Sequence, residues 1–258
     1  MSPAAVASLM MLTSGAAHAV VNAVLKSGRD KMSSRALIDG FSALIVLPGV
    51  FLLPLPTHAW GWLAISAVIH LVYLVALIKA FEGADMMVAY PLLRGVAPAL
   101  AAAVSVGVIV STLGRHLDRK TLLWALLTGA SIALYTVADA QGVRAAPSAP
   151  SYIVWVFILL GGGVGTLFAL WRGPGFVLAA RTEWRAGLAA GALSIVTYGL
   201  ALWALRLGAT PRLAALRETS VLFGVLIAIV FLKERATPAR LFSAGLIGAG
   251  AAVLVLSG

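Results

Sequence analysis

The chain has 258 residues, of which 61% are hydrophobic and only 11% charged, with a net charge of +10. A soluble domain carries roughly 25% charged residues, so this composition excludes an ordinary globular core and points to a bilayer. The absence of cysteine removes disulfides, thiolate catalysis and Cys-ligated metals.

In chain order the apolar segments fall at 3–25, 35–55, 60–81, 86–112, 122–143, 151–171, 186–207, 210–232 and 239–257. About 20 apolar residues cross the ~30 Å of hydrocarbon as a helix. Helices also satisfy their own backbone in lipid, whereas a β-barrel would show alternating segments of ~10 residues. The predicted fold is therefore all-α, a polytopic transmembrane bundle of nine helices with short connections. The first segment, "MSPAAVASLMMLTSGAAHA", ends in an A-x-A-like site as a secretory signal does. No basic stretch precedes its apolar core and the run continues through "VVNAVL", so it reads as a first transmembrane helix.

Most Lys and Arg residues sit in connections such as "KSGRDKMSSR" and "GRHLDRK". That pattern sets membrane orientation, and no nucleic-acid-binding motif accompanies it. His18, His58, His70 and His116 show no metal-ligand spacing, and no metal or cofactor is expected. The run "GGGVG" at 161–165 lies mid-span without a following Lys-Ser/Thr, so it is no phosphate loop and reads as close helix packing.

Three stretches recur in order. "SGAAHAVVNAVLKSG" (14–28) lies over "TGASIALYTVADAQG" (128–142), "HLVYLVALIKAFEGA" (70–84) over "IVTYGLALWALRLGA" (195–209), and "YPLLRGVAP" (90–98) over "LAALRETSV" (213–221). A duplicated unit follows, with a first copy at 1–112 holding four helices and a second at 121–258 holding five. An odd number of helices per copy inverts one copy relative to the other, a plan that builds transporters with a midplane site.

The polar residues inside the spans are the candidate site. Arg94 lies about 8 residues into its helix, ~12 Å deep at 1.5 Å per residue, and Arg217 is its repeat counterpart. A guanidinium fork suits carboxylate or phosphate; the competing reading pairs Arg217 with Glu218 or with backbone. Pro91, Gly95 and Pro98 mark a kink, either a gate or a packing bend. Glu218 and Asp139 are proton-coupling candidates, with local pairing of Glu218 to an arginine and of Asp139 to Arg144 as the alternatives. His18 and Asn22 share a helix face, and the repeat sets Asn22 over Thr136. His70, Tyr73, Tyr90, Tyr198 and Trp203 are candidate ligand contacts, against plain interhelical hydrogen bonding. Asp39 is expected to pair with Arg35 at the interface. Trp60, Trp62, Trp124, Trp155, Trp171 and Trp184 read as an aromatic belt.

The stretches "YPLLRG" (90–95), "ALYTVADAQGVR" (133–144) and "LRETSVLFGVLIAIVFLKERATPARLFSAGLIGAGAAVLVL" (216–256), with the Glu234–Arg235 pair, resemble the EamA-like branch of the drug/metabolite transporter superfamily. The resemblance implies ten helices in two inverted repeats, a bacterial cytoplasmic (inner) membrane location, and movement of small metabolites or amino-acid-like compounds. The counterpart of the fifth helix is missing after residue 112. Assigning Lys and Arg to nine-helix connections gives no side bias, whereas a further crossing between 103 and 113 puts nearly all on one side, as the positive-inside rule requires. The loops thus look written for ten helices, with the N-terminus on the non-cytoplasmic side; a lost helix or a truncated chain accounts for the difference.

The functional expectation is a secondary transporter, an exporter of small polar metabolites whose substrate is anionic or zwitterionic, working by alternating access. The alternative is a transport-inactive relative acting as a membrane interaction subunit. An enzyme is not expected, because a membrane-embedded enzyme needs a nucleophile, a metal cluster or a carboxylate set, and the spans hold too few acidic residues and no such cluster.

Overall fold

The computed structural model describes residues 2–99 and 118–234, with isolated positions 238, 241, 245 and 249. The side chains of Pro91, Arg94, Gly95 and Pro98, and most of the expected ninth segment, lie outside the described residues. Among the described residues the chain is helical with no strand: α1 (Pro3–Ser27), α2 (Lys31–Val46), α3 (Gly49–Leu52), α4 (Trp60–Gly83), α5 (Met86–Ala99), α6 (Arg119–Ala145), α7 (Ala149–Phe157), a π-helix (Ile158–Gly165), α8 (Thr166–Arg172), α9 (Pro174–Leu207), α10 (Thr210–Glu218) and α11 (Ser220–Val230). Among the described residues, seven stretches are long and apolar enough to cross a membrane: 3–27, 31–52, 60–83, 119–145, 149–172, 174–207 and 210–230.

Local chemistry fixes several starts. Ser2 accepts from Ala5 N with Pro3 in the first turn of α1, Asp118 accepts from Thr121 N, and Ser148 accepts from Ser151 N. Such caps satisfy amides that have no intrahelical partner. The expected span 186–207 is corrected: α9 begins at Pro174, after Gly173 at φ 57°. Arg181, Glu183 and Arg185 resembled a connection, yet no breaker separates them from the apolar run. At 1.5 Å per residue the 34 residues of α9 cover ~51 Å, so its first turns reach past the ~30 Å hydrocarbon layer. Large apolar side chains such as Phe51, Leu170 and Phe231 point outward at 84%, 74% and 75% exposure, as a lipid-facing surface requires.

Two basic residues mark the two ends of the bundle. Lys26 Nζ donates to the Phe81 and Ala84 carbonyls, 2.7 and 2.5 Å, at the C-terminus of α4. Arg144 Nη2 donates to the Leu205 and Gly208 carbonyls, both at 2.8 Å, at the C-terminus of α9. Each contact places a cation on the negative end of a helix. At the Lys26 end, the Glu234 carboxylate accepts from Met86 N and Met87 N, 2.9 and 2.7 Å, opening α5.

Helix α6 also starts at the Lys26 end, since Gly83 lies so close to Thr121 that a Cβ on it would collide with the threonine side chain. Met86 and Arg119 therefore stand at the same end. A single crossing over 86–112 would have set them at opposite ends. The loops follow the ten-segment assignment: Lys26, Arg29, Lys31, Lys79, Arg119, Lys120, Arg172 and Lys233 gather at one end, and Arg144, Arg206 and Arg212 at the other.

The packing is reciprocal. Helix α1 packs along α9, and α4 along α6; α1 also touches α10 and α11, and α5 touches α6. Helix α2 meets the 149–172 stretch, and α5 meets α11. One pair breaks the symmetry, because α2 packs extensively on α9 whereas α4 barely touches 149–172. Gly187 and Gly191 make the tight pair possible; a Cβ at Gly191 would stand 2.9 Å from the Ile38 carbonyl.

Candidate functional site

The α1, α2, α4, α6, 149–172, α9 and α10 segments converge on a narrow internal cavity of about 30 Å³, room for a water. Its walls include His18, Arg35, His70, Tyr73, Tyr135, Phe157, Ser194, Thr197, Tyr198 and Arg217. His18, His70, Tyr73, Tyr198 and Arg217 were read from the sequence as site residues, and the fold brings them together. Arg35 was missed because it stands four residues into α2 and was assigned to the connection. Tyr135 stands four residues before Asp139 on one helix face, which alone does not mark it as a cavity residue, and Ser194 and Thr197 carry no signal that separates them from any small polar residue in a span.

The aromatic side of the cavity is rigid. His70 lies over Tyr135 with ring centroids 4.1 Å apart and planes 26° apart, and meets Tyr73 and Tyr198 edge-on at 6.0 and 5.6 Å. Its Nδ1 sits 2.9 Å from the Ser66 carbonyl, which can only accept, so Nδ1 is the donor in that contact.

An acid, an ion pair and an arginine form three charged groupings around the cavity. Asp139, fully buried, accepts from the Tyr152 hydroxyl at 2.8 Å and from the Tyr198 hydroxyl. The expected Asp139–Arg144 pair does not form, because Arg144 caps α9 instead. The Arg35–Asp39 pair does form, but inside the bundle and not at the interface: Nε donates to Oδ2 at 2.8 Å and Nη2 to Oδ1, at 7% and 1% exposure. The backbone of Asp39 is pressed by Gly161 of the π-helix, where a Cβ would clash with its carbonyl. Gly161 and Gly165 therefore do the close packing read from "GGGVG", while Gly162 and Gly163 face open space.

Arg217 is the third group. It is 2% exposed, its guanidinium lies 5.3 Å from the Tyr198 ring centroid, and Nε and Nη2 have no hydrogen-bond acceptor among the described residues. The span that carries it tightens at this point. Thr219 keeps a right-handed helical backbone (φ −60°, ψ −16°), but its N bonds the Leu216 carbonyl, three residues back, and its Oγ1 bonds the same carbonyl at 2.7 Å. This single tight turn between α10 and α11 stands next to the buried Arg217 and Glu218.

Other candidates are placed elsewhere. Trp203 is 42% exposed on α9 and does not line the cavity. Tyr90 packs against Gly224 of α11, with its hydroxyl 3.5 Å from Ser220 Oγ. Asn22 turns back to the His18 carbonyl at 3.1 Å and Thr136 to the Ile132 carbonyl at 2.7 Å, so the shared polar seam is two separate self-contacts. Glu218 is buried beside Arg217.

A lipid-facing helical bundle with an irregular, polar, charged centre defines the class of polytopic membrane transporters. The sequence profile of the EamA-like transporter family matches residues 119–256. That is more than half of the chain, which therefore belongs to the EamA-like transporter family. Among the solved structures it resembles one described only as "Crystal structure of protein", with 20% identity, a TM-score of 0.65, and 98% of this chain and 99% of the other covered. At that identity the likeness speaks for the fold. No curated protein sequence matches the chain.

Proposed function

We propose that this protein is a secondary transporter, an exporter of small polar metabolites of anionic or zwitterionic character, with the central cavity as its binding site. The observation that carries the reading is Arg217: a buried cation with two donors left over, set in an aromatic cavity where the two halves of the chain meet. Burying a charge without a partner is expensive, and in a membrane span such a group marks a substrate or ion pathway. Arg94 is assigned the matching role in the first half, with Pro91, Gly95 and Pro98 as the kink that lets its helix move. Glu218 and Asp139 are the carboxylates assigned to proton coupling. Residues 1–112 and 121–258 act as the two inverted halves. The tight α2–α9 contact and its loose counterpart suit one side closed and the other ready to open, the asymmetry that alternating access needs.

The test compares the solutes released by cells making the wild-type chain with those making His70→Ala or Tyr73→Ala at equal membrane levels. At least one small polar solute is expected to accumulate outside wild-type cells and to fall back in the variants. Identical profiles in all strains, with the protein inserted, would establish the transport-inactive alternative.

A further inference from the structure

We propose that Arg217 is a side-on receptor for one substrate carboxylate, and that the Arg35–Asp39 pair across the same cavity is its filled template. This rests on the reading of the cavity as the transport site and names the chemical class the site takes.

A guanidinium offers two kinds of edge. The edge formed by Nε and Nη2 presents two parallel N–H groups matched to the two oxygens of a carboxylate. Arg35 uses that edge on Asp39, Nε to Oδ2 and Nη2 to Oδ1. In Arg217 the two nitrogens without an acceptor among the described residues are the same two, Nε and Nη2. Both arginines line one cavity, so one molecule holds an occupied and an unoccupied copy of a single recognition geometry.

The surroundings keep Arg217 aimed. Its guanidinium rests over the Tyr198 ring, and the Tyr198 hydroxyl is tied to Asp139. Neither contact consumes a donor of the Nε–Nη2 edge. Asp139 is itself engaged by two phenols, so it holds the platform in place and leaves the guanidinium open. A phosphate or phosphonate has a third oxygen and more charge, and the other arginine among the described residues of the cavity wall, Arg35, is bound to Asp39. A single planar carboxylate fits the donors left over.

The experiment uses the full chain in detergent, with unfolding followed by tryptophan fluorescence. Acetate and benzoate are titrated against their amides, acetamide and benzamide, and against inorganic phosphate and methylphosphonate. A ligand that binds only the folded state raises the unfolding midpoint in a saturable way. The carboxylates are expected to raise it and the amides to leave it unchanged. Arg217→Gln is expected to abolish the shift, and Arg217→Lys, which keeps the charge but loses the fork, to weaken apparent affinity about tenfold. Without ligand, Arg217→Gln is expected to unfold at the same temperature as wild type or higher, because no hydrogen bond of that edge is lost. A larger shift with phosphate or methylphosphonate, full affinity in Arg217→Lys, or no carboxylate shift in the wild type would overturn the proposal.

This site and the transport reading fail separately. Carboxylate binding without any exported solute keeps the site and removes transport. An exported solute that persists undiminished in Arg217→Gln removes the carboxylate site and keeps transport.

Discussion

Asp139 shows how a buried charge is held without a cation. Both of its oxygens accept from phenols, Tyr152 on α7 and Tyr198 on α9, so one carboxylate joins three segments. A hydrogen bond to a charged group contributes about 1.5–3 kcal/mol. Tyr152→Phe and Tyr198→Phe are each expected to cost about that much in equilibrium unfolding. The double variant is expected to cost more than the sum, because it strips the last donor from a buried carboxylate. Additivity within about 0.5 kcal/mol would mean that solvent or another donor reaches Asp139. Part of this is legible in the sequence: the spacing of four between Tyr135 and Asp139 puts both on one helix face. It did not reveal the partners, since Arg144 is nearest along the chain and the phenols are 13 and 59 residues distant. Arg217 was legible as an ionisable group in an apolar span, but which of its nitrogens lack partners is a property of packing alone.

Among the described elements, the π-helix at 158–165 and the tight turn at Thr219 are irregular without a sequence signature as plain as Pro48, which separates α2 from α3. π-turns inside α-helices concentrate at functional sites, and this one bears on the helix that carries Arg35 and Asp39. Four glycines in one run invite a uniform reading, yet they divide by face. Gly161→Ala is expected to lower thermal stability by several degrees, because its new methyl meets the Asp39 carbonyl, a backbone atom that cannot swing aside. Gly162→Ala meets open space and is expected to be neutral or to stabilise by up to about 1 kcal/mol through the lower entropy of alanine in a helix. Equal behaviour of the two variants in a melting experiment would mean that the close approach of the π-helix to α2 is absent in the membrane. The lengths of most spans were readable from hydropathy; the early start of α9 was not, because charges that look like a loop are tolerated where a helix runs on into the interface.

For the molecule as a whole, the sequence posed a contradiction between nine apolar runs and loop charges arranged for ten, and the positions of Met86 and Arg119 resolve the sides. Both belong to the Lys26 end, where the majority of the cations collect, and Ser2 lies at the opposite end. Cytoplasmic loops carry the excess of Lys and Arg, so the Lys26 end is expected to face the cytoplasm and Ser2 the outside. The lack of cysteine makes the check simple: single variants Ser2→Cys, Ser27→Cys and Ser148→Cys are treated in intact cells with a membrane-impermeant maleimide. Ser2→Cys and Ser148→Cys are expected to label, and Ser27→Cys only after the cells are broken. The reverse pattern would invert the orientation while leaving the bundle intact. Labelling of Ser2→Cys with protection of Ser148→Cys would instead place α6 in the opposite direction, restore the single crossing over 86–112, and separate Arg217 from the Arg35–Asp39 pair with which it shares a cavity.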